Sequence, residues 1–175
     1  MTKISGKILT PTGWIYGCIE FNNKILKVTP GEVSKDELII LPGFIDLHVP
    51  GGGGGDVMDG YDAIRRCATL HAKHGTTSFL ATTVTAPNEN IIKAVKAIQE
   101  VSVDRYLSEA RVLGVHLEGP YINPNRLGAQ PPFAQKPDID FISRLCKYAR
   151  IRLVTLAPEC DPQNLLLKYL TKKNI

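Results

Sequence analysis

The sequence has no CxxC pair, no HxH pair, no dense block of Lys and Arg, and no apolar run of membrane length. Each absence removes a class of function. The four cysteines, Cys18, Cys67, Cys146 and Cys160, lie far apart, so their spacing argues against a zinc knuckle or a thioredoxin-type pair. Free, moderately buried thiols in a reducing compartment are the simpler reading. No segment approaches the ~20 apolar residues that span a bilayer. The start, "MTKISGKILTPTG", carries no apolar stretch of signal-peptide length. A cytoplasmic protein with no membrane partner is expected. The formal charge of +4 is scattered through segments such as "YARIRL" and "TKKNI", without interleaved aromatics. It reads as solvated surface, and no nucleic-acid partner is expected.

What is present is material for a core. Hydrophobic residues make up 43% of the 175 residues, too many for a disordered chain. The pattern changes near residue 40. Before it, "KISGKILTP", "WIYGCIEFNNKILKVTP" and "ELIILPG" are short β-rich runs broken by Gly, Pro and Asn-Asn, which are hairpin signals. Asn22-Asn23 predicts a tight turn, because Asn tolerates positive φ. Residues 1–40 therefore predict a small antiparallel sheet.

Residues 41–175 follow another rhythm. "IILPGFIDLHV" is an apolar run. A helical pattern covers 59–74 and is closed by Gly75. "TTSFLATTVT" reads as a buried strand, and Asn88 is placed to cap "NENIIKAVKAIQEV". "ARVLGVHLEG" and "IRLVTLAPE" are further strands. "DIDFISRLCKYAR" is a helix, and Asp161-Pro162 opens another. Strand and helix alternate four times, which predicts an α/β fold with a parallel sheet. Four βα units make half of an eight-unit barrel or a small open sheet. In parallel sheets, chemistry gathers at the carboxyl ends of the strands. Those ends carry Asp46 and His48, then Thr82 to Thr85, then His116 and Glu118, then Glu159.

Glu118 precedes Gly119-Pro120, a forced turn. A carboxylate there ligates a divalent metal, caps a neighbouring helix or pairs with a lysine. His48 ends its strand in the same way, as a metal ligand or as a packed, hydrogen-bonded residue. An HxH pair would aim two imidazoles at one metal, but Pro50 breaks it. His116 shares a strand face with Glu118, and orients that carboxylate or lines a pocket. His71 and His74 sit near a helix C-terminus, where the dipole favours their charged forms. The run Gly51 to Gly55 fits neither GxGxxG nor a P-loop, because Asp56 stands where both need glycine. It predicts a tight bend over the barrel mouth with backbone amides near a ligand. Asp56 and Asp59 read as capping residues.

Together, "LPGFIDLHV", "GGGGGDVMDG", "HGTTSFLATTVT", "VLGVHLEGPYIN", "LGAQPP" and "VTLAPE" resemble the N-acetylglucosamine-6-phosphate deacetylase family of the amidohydrolase superfamily. The resemblance runs along the whole chain, in the family's order. It implies the first half of a (β/α)8 TIM-type barrel, preceded by part of a small β-sandwich. It implies hydrolysis of the sugar's acetamide to glucosamine 6-phosphate and acetate, in amino-sugar catabolism. A divalent metal such as Zn or Fe lowers the pKa of water and polarises the amide, and a carboxylate moves the proton. By the resemblance, Glu118 and His48 are metal ligands, and Ala129 and Gln130 contact the sugar. The full-length family implies a homodimer.

Two departures matter. Pro50 stands where many members have a second histidine, which argues against a binuclear site. The family's remaining histidines, phosphate-binding residues and catalytic Asp lie beyond the matching stretch. No catalytic residue is expected in this chain, and it is expected to be inactive alone. A cyclic amidase is the alternative within the superfamily, although the missing HxH and the "HLEGPYIN" segment speak against it. A non-catalytic or split half-barrel that needs a partner chain is the alternative of another class.

Overall fold

The computed structural model describes residues 1–34 and 38–175. The chain divides into two compact units, Met1–Gly43 and Phe44–Ile175.

The first unit is one sheet. Strands β1 (Thr2–Thr10), β2 (Gly13–Phe21), β3 (Ile25–Pro30) and β4 (Leu38–Ile40) lie in the order β3-β2-β1-β4. The first three form an antiparallel meander. The short β4 joins β1 in parallel, a direction that an apolar run alone does not encode. The "ELIILPG" run begins at Glu37, which lies outside the described residues. The Asn22-Asn23 turn forms without positive φ. Asn22 Oδ1 accepts from the Lys24 N–H at 3.1 Å, and the Asn22 N–H donates to the Lys24 carbonyl at 3.1 Å. A turn closed by an Asn side chain needs no left-handed residue.

The second unit carries the barrel half. Strands β5 (Phe44–Val49), β8 (Thr76–Thr83), β9 (Arg111–Glu118) and β10 (Ile151–Thr155) form a parallel sheet in the order β10-β9-β8-β5. Between β5 and β8 lie a small hairpin, β6 (Gly51–Gly52) and β7 (Gly55–Asp56), a 3₁₀ turn at Val57–Asp59, and α1 (Tyr61–Lys73). Helices α2 (Asn88–Val103), α3 (Ile139–Tyr148) and α4 (Leu165–Lys172) complete the alternation. This is the expected α/β half-barrel of four βα units.

Periodicity decides which helix faces pack. Helix α2 buries Ile91, Ala94, Val95, Ile98 and Val101, the i, i+3, i+4, i+7 spacing of one helical face. They join Ile64, Cys67, Phe79, Val115, Leu117, Phe141, Ile142, Leu145 and Leu166 in one core. All four cysteines are free; Cys67 is buried, whereas Cys146 is exposed rather than partly covered.

Several helix starts differ from expectation. Asp56 and Asp59 do form a capping box, but on the 3₁₀ turn, so α1 begins at Tyr61. Asn88 is the first helical residue, with Pro87 at the cap position. Its Oδ1 is buried without a hydrogen-bond partner. Helix α4 begins four residues after Asp161, behind a 3₁₀ turn at Pro158–Cys160. The buried Asp161 carboxylate still serves that helix, accepting from Leu165 N–H at 3.0 Å and Leu167 N–H at 3.1 Å. His71 is held by packing as well as by its place near the end of α1. Its ring stacks on Phe79 at 5.8 Å, and Nε2 lies 3.4 Å from the Gly51 carbonyl.

The glycine run has a packing reason. Gly53 and Gly54 have φ of 63° and 75°, which suits the tight turn joining β6 to β7. A Cβ on Gly55 would lie 2.9 Å from the Ala63 Cβ. The missing side chains therefore seat the hairpin directly on α1.

Candidate functional site

The carboxyl ends of the four parallel strands bring together residues far apart in the chain. His48 comes from β5 and Glu118 from β9. His48 Nε2 lies 3.3 Å from Glu118 Oε2. The His48 side chain is half exposed, and that of Glu118 is mostly covered. Glu118 thus meets a histidine rather than the lysine or helix end that a lone carboxylate could also serve. Asp46 holds the backbone beneath, its Oδ1 accepting from the His48 N–H at 3.0 Å.

His116 stands two residues before Glu118 on β9, packed beside His48, and is buried at 3% exposure. Its Nε2 is 2.8 Å from Thr155 Oγ1 on β10, and its Nδ1 is 3.2 Å from Thr82 Oγ1 on β8. Its ring meets His48 edge to face, with centroids 5.2 Å apart and planes at 90°. Burial is the main cause that lowers the His116 pKa below 6.5, and the neighbouring His48 adds to it. Glu118 and a hydrogen bond with the Leu47 backbone act in the opposite direction. A neutral imidazole offers one donor and one acceptor, and each threonine hydroxyl can serve as either.

The turn after Glu118 is tightly made. Gly119 has φ of 76°, and a Cβ there would lie 2.0 Å from Thr85 Oγ1. Only glycine fits that turn without moving Thr85. Its N–H donates to the Thr155 carbonyl at 3.2 Å, so β9 and β10 stay tied beyond the sheet. Gln130, forty-five residues from Thr85, is held by the Thr85 N–H, which donates to its Oε1 at 2.8 Å. Ala129 sits exposed in the preceding turn, which is closed by the Gln130 N–H to the Leu127 carbonyl at 3.1 Å.

Glu159 lies past the end of β10, in a 3₁₀ turn. It accepts from Asn123 Nδ2 at 2.9 Å. That bond is the main cause that lowers its pKa, with its own backbone N–H second. A cavity of about 620 Å³, lined by Lys136, Asp138, Asp161 and Leu165 among others, contains none of the strand-end residues. Thr155 did not stand out in the sequence. Its signal was a polar residue ending an apolar strand, the same signal that marked Thr82.

His48 and Glu118 supply the imidazole and carboxylate donors that divalent metals accept. Among the described residues, no group of three or more His, Cys, Asp or Glu is placed to hold a metal. A catalytic zinc takes three protein ligands, so the pair fits as part of a ligand set. His116 does not add a third, since both of its ring nitrogens face threonine hydroxyls.

Known proteins show the same arrangement of sequence. The amidohydrolase family model matches residues 39–166. The chain is 38% identical over 143 residues to N-acetylglucosamine-6-phosphate deacetylase of Bacillus subtilis (strain 168), covering 78% of this chain and 36% of that protein. It is 35% identical over 178 residues to N-acetylgalactosamine-6-phosphate deacetylase of Escherichia coli O157:H7, covering 97% of this chain and 47% of that protein. The crystal structure of N-acetyl-D-glucosamine-6-phosphate deacetylase from Mycobacterium smegmatis superposes with a TM-score of 0.83 at 28% identity. That match covers 100% of this chain and 52% of the other. The chain spans about half the length of these proteins or less, and matches their N-terminal portion. The family match runs from β4 into α4 and takes in every strand of the half-barrel, and the chain belongs to the amidohydrolase family.

Proposed function

We propose that the protein carrying this chain hydrolyses the acetamide of an N-acetylhexosamine 6-phosphate, with N-acetylglucosamine 6-phosphate as the preferred substrate. Water adds to the amide carbonyl, the C–N bond breaks, and acetate and the amino-sugar phosphate leave. The observation that carries this reading is the convergence of His48 Nε2 and Glu118 Oε2 at 3.3 Å, at the end of a parallel sheet where such chemistry gathers. The names of the B. subtilis and M. smegmatis proteins support the substrate.

In this reading His48 and Glu118 hold part of a divalent metal's ligand set. Bound there, the metal would lower the pKa of water and polarise the amide. Gln130 orients the sugar. With its Oε1 engaged by Thr85, its amide nitrogen is left to donate to a sugar hydroxyl or acetamide oxygen. Ala129, exposed beside it, leaves room for the sugar ring. Two metal donors fall short of a catalytic set, so residues 1–175 alone are inactive. The reading also includes a cytoplasmic homodimer; four free cysteines accord with a reducing compartment.

A second reading differs only in the sugar. The match to the N-acetylgalactosamine-6-phosphate deacetylase covers 97% of this chain, and the two substrates differ at one ring hydroxyl. Acetate release from both epimers tests this, using the protein from its complete reading frame with Zn2+ or Fe2+ added. Release from the gluco epimer at the higher kcat/KM is expected, with loss of activity in Glu118→Gln. Faster ring opening of dihydroorotate, or undiminished acetate release in Glu118→Gln, overturns the proposal.

A further inference from the structure

One side chain links all four barrel strands at the candidate site, and the reaction assigns it no role. His116 belongs to β9. Its two ring nitrogens reach β8 through Thr82 and β10 through Thr155, at 3.2 Å and 2.8 Å. Thr82 carries the chain of contacts on to β5, because its Oγ1 also accepts the Val49 N–H at 2.9 Å. The ring then packs edge to face on His48 itself, 5.2 Å between centroids. Glu118 follows two residues later on the same strand. A regular ladder would tie β5 to β8 by backbone bonds, but their register shifts between Asp46 and Val49. The Thr82 hydroxyl closes the ladder at the place where His48 must be held. His48 is half exposed, and its ring is met by Glu118 Oε2 at 3.3 Å and by the His116 ring. An exposed side chain gains rotational freedom unless packing restricts it.

We propose that His116 is a positioning residue: braced by Thr82 and Thr155, its buried ring fixes the orientation of His48 toward Glu118 and so sets the metal affinity of that pair. The proposal rests on the reading of His48 and Glu118 as metal ligands. Groups that orient ligating histidines typically change metal affinity by about 10–100-fold when removed. That is the size expected for His116→Phe, which keeps a ring of similar volume and loses both hydrogen bonds. Thr155→Val removes one brace at nearly constant volume; Thr155 pairs with Glu118 in the β9–β10 register, but the hydroxyl that the variant loses is the one engaged by His116. This variant guards against a folding failure of His116→Phe.

The test measures Zn2+ affinity of the full-length protein by chelator competition. It also records the side-chain ¹H–¹⁵N spectrum of His48 without metal. Both variants are expected to weaken Zn2+ binding and to shift the His48 resonances toward those of a freely rotating imidazole, at an unchanged urea midpoint for Thr155→Val. Thr155→Ser, which restores the hydroxyl, should restore both readings. Wild-type affinity and wild-type His48 resonances in Thr155→Val and His116→Phe would overturn the proposal. If Glu118→Gln weakens binding in that same experiment, the ligand reading survives and the positioning role alone falls. If Glu118→Gln binds Zn2+ as well as wild type, both fall.

Discussion

The two faces of the parallel sheet are built from similar residues and end in different states. On one face Phe79, Ala81, Val115 and Leu117 are fully buried and belong to the core that includes residues of all four helices. Outside that core, Leu47, Leu80, Leu113 and Leu153, one from each strand, line a cavity of about 240 Å³ together with Arg152. Leu47 is 55% exposed, although Leu80 on the central strand is buried. Beyond this leucine tier, toward the strand ends, stand Thr82, His116, Thr155, His48 and Glu118. The helix-side face is held by area removed from water. At the strand ends, hydrogen bonds across strands do more of the holding. Apolar composition marks a strand, and the neighbours decide how much of it is buried.

The difference is measurable. Phe79→Ala should cost about 3–5 kcal/mol of stability, read by urea unfolding, because Phe79 is buried in the core. Leu153→Ala, on the cavity side and only partly buried, should cost less than about 2 kcal/mol, below the range for a fully buried leucine. Equal costs would erase the distinction between the faces. Gly119→Ala should lower stability by about 1–3 kcal/mol from the backbone strain alone, with a steric cost added by Thr85 Oγ1. Pairing it with Thr85→Ala should recover the steric part and leave the strain. Thr82→Val takes away the acceptor of the Val49 N–H, and a buried donor left unpaired costs about 1–3 kcal/mol. Thr82→Ser should recover most of this. Ile45→Ala, at 65% exposure on the edge strand β5, should change the urea midpoint by no more than the equivalent of about 0.5 kcal/mol.

Much of the half-barrel was legible because strand and helix periods are local. Helix α2 declares itself by its apolar spacing, and β8 by β-branched residues. The capping box of Asp56 and Asp59 was readable from residue types, but the 3₁₀ turn it serves was not. The start of α4 was misplaced for a related reason. Asp161 binds the amides of Leu165 and Leu167 from a distance, and a cap acting across a loop leaves no sequence spacing to read. Neither asparagine of the Asn22-Asn23 pair adopts positive φ, because the Asn22 side chain closes the turn itself.

The candidate site was legible in part. His48, His116 and Glu118 stood out as polar residues ending apolar strands, a costly placement without partners. Their partners did not stand out. Strict alternation sets neighbouring residues on opposite faces of a strand, yet Leu47 lines the leucine cavity while His48 meets Glu118. The register shift between Asp46 and Val49 falls on that stretch, and similar shifts interrupt β8–β9 and β9–β10.

The sequence by itself determined the order of strands and helices, the turn at Gly119 and the residue types available at each strand end, since these depend on local backbone preference and side-chain chemistry. Only the tertiary structure decided that His48 faces Glu118, that His116 is braced by Thr82 and Thr155, and that Gln130 is held by Thr85. The physical reason is that these pairings depend on strand register and on where the loops beyond the strands fold back, and both are set by packing between distant segments.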